Sequence, residues 1–137
     1  MSEAIAGTIS TSRVLVVDPQ EETRAVLETM LSRRGIRIVT TARRDEGLRL
    51  ARDFQPDVIV LDCETPSVEA SDGTTDAERP FASASPDHPP SLVLIGSTRR
   101  AANATADAGS SRYLQKPYDY GPLIHTIEEL LASRRAA

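Results

Sequence analysis

The apolar positions of this chain fall into two rhythms that alternate along its length. "VLVV" (Val14 to Val17) is a continuous apolar run rich in β-branched residues, the pattern of a strand buried on both faces. "EETRAVLETMLSRRG" has helical spacing: Val26, Leu27, Met30 and Leu31 share a face, acids occupy the first turn, and Gly35 is a stop signal. "IRIVTT" (Ile36 to Thr41) is a second strand, and "RDEGLRLARDF" a second helix with Gly47, Leu50, Ala51 and Phe54 inward, broken by "QP". "DVIVLD" (Asp57 to Asp62) and "SLVLIGS" are the third and fourth strands. "TRRAANATADAG" is predicted as a helix ending at Gly109, "RYLQK" as a fifth strand running into Pro117, and "YGPLIHTIEELLASRR" as a last helix with a stripe of Leu123, Ile124, Ile127, Leu130 and Leu131. Strands alternating with helices predict an α/β fold with a parallel sheet covered on both faces.

One segment departs from this rhythm. Cys63 to Ser91 carries five of the nine prolines, six acids and one arginine. Its apolar patterning is weak, with one short helical candidate at "TTDAER". A long acidic Pro/Ser-rich loop with one or two helical turns at most is expected here, the atypical part spanning residues 67–91.

Composition narrows the class. A chain of 137 residues fits one domain with a real core, and aromatics at 4% make that core aliphatic. The expected organisation is a loose tail over residues 1–12 and a single domain over 13–135, with no output domain. A formal charge of -4 argues against nonspecific nucleic-acid binding, which neutralises phosphates. The Arg pairs (33–34, 43–44, 99–100, 134–135) are spread around the domain and read as solvated helix ends. No apolar stretch is long enough for a bilayer, and "MSEAIAGTISTS" lacks the basic and apolar regions of a secretory signal. The single cysteine, Cys63, has no second cysteine to pair with, which fits a reducing, cytoplasmic location.

In parallel α/β sheets the ligand site lies beyond the carboxyl ends of the strands. Asp18, Asp62, Gly96, Ser97 and Lys116 all fall there, so two aspartates and a lysine far apart in sequence are expected to converge. Each residue also has a plainer role. A strand-end aspartate caps a loop or helix through backbone amides, and a lysine before proline is ordinarily solvated. Tyr113 is a half-buried strand aromatic by default. His88 and His125 are too isolated for a metal site, and Cys63 is most simply a small inert thiol.

"RVLVVD…R", "PDVIVLDCETP", "AGSSRYLQKPYD" and the βα repeats resemble the receiver domains of bacterial two-component response regulators, from Arg13 to Arg135. The resemblance implies a flavodoxin-like fold of five parallel strands in the order 2-1-3-4-5. It implies phosphoryl transfer from a phosphohistidine to Asp62, with Lys116 pairing the phosphoryl oxygens and Tyr113 as the switching aromatic. Mg²⁺ is the implied cofactor, with Asp18 and Asp62 as ligands. The implied partners are a sensor histidine kinase or phosphotransfer protein, a homodimer being a further form, with no nucleic acid and no membrane.

Several features depart from the family pattern: the acidic Pro/Ser-rich loop shortens or replaces the third helix, Ser67 stands for the usual Gly after the proline, and three further positions bear on the site. Pro19 stands where a second acid is usual, and proline has no side-chain oxygen, so Mg²⁺ is expected to bind weakly or not at all; Glu21 and Glu22 are near but suit a helix start anyway. Gly96 aligns with the usual Thr or Ser after strand four, while a shift of one residue brings in the Ser97 hydroxyl and reverses the face used. Glu64, two residues past the acceptor, has two readings: a substitute metal ligand, or a partner of Lys116 that imitates the phosphorylated state. The expected function is therefore a stand-alone receiver phosphorylated weakly at best on Asp62. The alternative is a phosphorylation-independent pseudo-receiver serving as a protein-interaction module. A flavodoxin-like phosphatase or small-ligand binder is remote, because no phosphate-binding glycine motif or nucleophile elbow follows any strand. In the first two readings the chain is not a conventional enzyme and at most phosphorylates and dephosphorylates itself at Asp62.

Overall fold

The computed structural model describes residues 11–64, 79–97 and 111–136. Five parallel strands, β1 (Arg13–Val17), β2 (Arg37–Thr41), β3 (Val58–Asp62), β4 (Ser91–Gly96) and β5 (Arg112–Gln115), form one sheet in the order β2-β1-β3-β4-β5. The helices are α1 (Glu21–Ser32), α2 (Arg44–Phe54), the single turn α3 (Arg79–Ala82) and α4 (Tyr120–Ala136). β3 and β4 are buried along their whole length, as their unbroken apolar runs require of central strands covered on both faces. β5, at the sheet's edge, is short and only partly buried.

The pleat sorts the strands' side chains into two cores. Val14, Val16, Val58, Val60, Val93 and Ile95 face α1 and α4, which contribute Leu27, Leu31, Leu123, Ile124, Ile127, Leu130 and Leu131. Leu15, Val17, Ile59, Leu61, Leu92 and Leu94 face α2 and α3, which contribute Ala51 and Phe81. The α4 stripe is buried as the spacing predicts. On α1, Leu27 and Leu31 are buried while Val26 and Met30 are half-buried, and Gly35 follows with a positive φ of 77° that suits glycine.

Two predicted features lie outside the described residues: the helix ending at Gly109, and residues 65–78 of the acidic segment. The part of that segment that is described holds a surprise. Phe81, in a stretch read as loop, is fully buried against α2. Gly47 makes room for it. A Cβ at Gly47 would lie 2.8 Å from Val17 Cγ2 and 3.3 Å from Phe81 Cε1. Gly47→Ala is therefore expected to destabilise the fold by about 1–3 kcal/mol through overpacking, although alanine is the better helix former. Urea unfolding measures this, and a neutral or stabilising result would contradict the packing described.

The amino ends of the strands are tied by Asp57. Its carboxylate accepts the Arg13 backbone N–H at 2.9 Å and lies 2.8 Å from His88 Nε2 and 3.8 Å from Arg134 Nε. His88 thus anchors the connection into β4 at the end of the sheet opposite the aspartates. His125 is exposed on α4 and pairs with Glu129 one turn on. No helix among the described residues is long and apolar enough to cross a membrane.

Candidate functional site

The parity that buries one face of each strand also aims the polar residues beyond it. Asp18 continues the face of Val14 and Val16, Asp62 that of Val58 and Val60, and Lys116 that of Leu114, so all three emerge over the α1/α4 core. With Ser97 they line one cleft of about 530 Å³, walled also by Gln20, Thr23, Pro117, Tyr118 and Tyr120. The Lys116–Pro117 peptide is cis.

Parity also separates Ser97 from Gly96. Ser97 continues the face of Val93 and Ile95 and lines the cleft. Gly96 belongs to the opposite face: a Cβ there would lie 3.3 Å from Tyr113 Oη and 3.7 Å from Cys63 Cβ. The cleft's hydroxyl at the end of β4 is therefore that of Ser97, and the alignment of Gly96 with it is corrected by one residue. Tyr113 packs with the α2/α3 core, so its ring lies on the other side of the sheet from the cleft.

Both aspartates are nearly inaccessible, Asp18 at 3% and Asp62 at 2% exposure. Each folds back on its own loop. Asp18 Oδ1 accepts the Gln20 N–H at 2.8 Å, and Asp62 Oδ1 accepts the Glu64 N–H at 2.8 Å. The loop-capping role thus holds alongside any chemical one. Burial raises the pKa of Asp18 above its ordinary value; the Gln20 N–H opposes that shift and the nearby Asp62 charge adds to it. A raised carboxylate pKa means that the native state holds its proton more tightly than the unfolded chain. Asp18 therefore weighs against stability at neutral pH, a penalty relieved as pH falls through its folded pKa toward 3.8.

Lys116 is the counter-charge. Its ammonium donates to Asp62 Oδ2 at 2.8 Å and to Glu64 Oε1 at 3.0 Å. Burial works against the charge, but the two carboxylates outweigh it and raise the lysine's pKa. The other Glu64 oxygen accepts hydrogen bonds from Ser97, from both its hydroxyl and its backbone N–H. These bonds, first from Ser97 and then from Lys116, hold Glu64 below the usual carboxylate range. Glu64 thus pairs with Lys116, the contact that one of its two sequence readings rests on. No group of three or more His, Cys, Asp or Glu suited to a metal occurs among the described residues. Pro19 is exposed and brings no oxygen, so the acidic oxygens facing the cleft from buried side chains are those of Asp18 and Asp62.

Sequence reasoning missed the tyrosine wall. Tyr118 and Tyr120 stack edge to face at 6.0 Å between centroids, and Tyr120 Oη lies 3.4 Å from Thr23 Oγ1. Burial, reinforced by the Asp18 charge, pushes Tyr118 up to about 12, so it stays a neutral phenol beside the acids. The signal was present, since Tyr118 directly follows "KP" and Tyr120 comes two residues later. Arg24, one turn into α1, donates to the Asp18 carbonyl at 2.8 Å and fixes the loop after β1. Cys63 is half-buried; its backbone joins the sheet through Ile95 and accepts from Arg44 at 3.1 Å.

Comparison with known proteins places these features in a family. The family model described as "Response regulator receiver domain" matches residues 14–128. A transcriptional regulatory protein of Mycobacterium leprae, PrrA, is 33% identical over 131 residues, covering 93% of this chain and 53% of its own length. The chain thus spans about half the length of that curated relative. Among solved structures, a CheY-like receiver domain protein from Methanospirillum hungatei has a TM-score of 0.74 at 20% identity, covering 93% of this chain and 100% of that one. The receiver domain of the Pseudomonas aeruginosa sensor histidine kinase PA1611, solved with magnesium in its active-site cleft, has a TM-score of 0.68 at 22% identity, covering 90% of this chain and 99% of that one.

Proposed function

The chain belongs to the response regulator receiver family, and from that premise we propose that it accepts a phosphoryl group on Asp62 in two-component signalling, with low efficiency. An Asp62 oxygen attacks phosphorus, the P–N bond of a donor phosphohistidine breaks, and the departing imidazole keeps the bonding pair. Lys116 and the Ser97 hydroxyl then serve the phosphoryl oxygens, where negative charge collects. The observation that carries this reading is the buried Asp62 carboxylate with the Lys116 ammonium 2.8 Å away, in a cleft it shares with Asp18. Asp18 and Asp62 are the side chains that would hold Mg²⁺, an ion that accepts one or two carboxylates and completes its shell with water and phosphate oxygens. When bound it would neutralise phosphoryl charge; with proline at position 19 we expect that binding to be weak.

The donor in this reading is a sensor histidine kinase or phosphotransfer protein, and the setting is cytoplasmic. The reading attaches to the single domain of residues 13–135; the activities of longer relatives do not enter it. Tyr113, behind Gly96 on the opposite face, is the proposed relay from the cleft to the β4–β5 edge, a two-state element biased by phosphorylation. The test is exposure to a small-molecule phosphodonor followed by peptide mapping. Label confined to the peptide carrying Asp62 supports the proposal; label elsewhere refutes it.

A second reading is favoured by one specific observation. Lys116 is already engaged by both Asp62 and Glu64. A pseudo-receiver would use that arrangement as a permanent lock and bind its protein partner regardless of phosphorylation. A folded chain that takes no label at saturating donor and Mg²⁺, yet still binds its partner, distinguishes this reading from the first.

A further inference from the structure

We propose that the Glu64 carboxylate is a tethered oxyanion that fills the phosphoryl-binding subsite and must be displaced before an external oxyanion can bind. The proposal rests on the receiver reading for the identity of that subsite, but its geometry stands independently. Three donors converge on this one carboxylate: the Ser97 hydroxyl, the Ser97 N–H at 3.2 Å and the Lys116 ammonium at 3.0 Å. One hydroxyl, one backbone amide and one ammonium are a donor set that suits a tetrahedral oxyanion. Glu64 leaves neither oxygen idle, one going to the serine and the other to the lysine. Its backbone N–H is held by Asp62 Oδ1, so the side chain starts from a fixed point two residues from the acceptor.

The balance of charge gives the arrangement its consequence. A tethered carboxylate is present at high effective concentration, so free anions compete poorly with it. It carries a single charge, whereas a phosphoryl group carries about -1.5 to -2 at neutral pH, and once on Asp62 that group is tethered too. A covalent phosphoryl group therefore displaces Glu64, and stray anions in solution do not. The side chain is 46% exposed, so it has room to swing out into solvent. Glu64 thus raises the threshold for entry to the site without closing it.

The test compares wild type, Glu64→Gln, Glu64→Ala and Asp119→Asn. The last removes one negative charge beside the tyrosine wall without touching the subsite. Inorganic phosphate is titrated into each, followed at the amide NMR resonances of Ser97 and Lys116. Glu64→Ala is expected to bind phosphate about three- to tenfold more tightly than wild type, with Asp119→Asn near wild type. Glu64→Gln should fall between, because its amide oxygen still accepts from a donor but the charge facing Lys116 is gone. In parallel, the rate of phosphodonor labelling should rise in the order wild type, Gln, Ala. Equal phosphate midpoints for wild type and Glu64→Ala would overturn the proposal, as would an equal gain in Asp119→Asn. If Glu64→Ala gains phosphate affinity but no variant is labelled on Asp62, the plug stands and the phospho-acceptor reading fails.

Discussion

Pro19→Asp is expected to strengthen Mg²⁺ binding by about 10- to 100-fold and to speed phosphodonor labelling of Asp62 in proportion at limiting Mg²⁺, taking the effect of losing a ligand's supporting group as a lower guide. Position 19 directly follows Asp18, which is held by two main-chain bonds and one side-chain bond. Its N–H donates to the Thr41 carbonyl, its carbonyl accepts from Arg24, and its carboxylate accepts from Gln20. A carboxylate introduced here starts from a rigid point at the cleft mouth. Without metal the variant should be less stable than wild type, because a third acid joins Asp18 and Asp62 with Lys116 shared among them. Added Mg²⁺ should reverse that loss, since binding to the native state alone stabilises it by mass action. Titration calorimetry and Mg²⁺-dependent melting read both effects. A variant that binds Mg²⁺ no better than wild type would show that proline is not what limits the site.

Lys116→Met is expected to lower stability by about 2–4 kcal/mol at neutral pH and to abolish labelling. The lysine is 26% exposed, which places the loss toward the low side for a buried pair, while Asp62 at 2% cannot turn to water for relief. Asp62 would keep the Glu64 N–H but lose its cation, beside a second buried carboxylate in Asp18. The pH dependence has a definite sign. The folded pKa of Lys116 lies above 10.5, so its contribution is complete below that pH and is lost as pH rises toward the folded value. Wild type should therefore lose stability in that alkaline range, and the Met variant should lack this component. Denaturant midpoints across pH 7 to the alkaline limit of reversible unfolding measure the difference. Equal stability of the two proteins at neutral pH would mean that the pair contributes nothing net.

The parts legible in the sequence were those in which local pattern and global position agree. Each apolar run ends where its strand ends, so Asp18, Asp62 and Lys116 marked the carboxyl edge without any knowledge of the sheet. The order 2-1-3-4-5 came from resemblance; pattern alone gives parallel strands and no order. Ser97 was ambiguous because a linear alignment has no faces. The pairing of Asp62 with Ile95 fixes parity and assigns Ser97 to the cleft and Gly96 to the side of Tyr113. Phe81 was illegible for a different reason. One aromatic among prolines and serines has no periodicity, and its burial depends on the absent side chain of Gly47, a residue more than thirty positions earlier. The contact of Glu64 with Lys116 was not legible in sequence because the two residues follow different strands, β3 and β5, and only the sheet brings them together.

The most direct test of the central claim is intact mass after incubation with a small-molecule phosphodonor, with and without Mg²⁺, on wild type and Asp62→Asn. The account predicts a single phosphoryl adduct on wild type, slow to form and dependent on high Mg²⁺, and none on Asp62→Asn. An adduct that persists in Asp62→Asn, or a folded wild type that takes none at saturating donor and Mg²⁺, would contradict it.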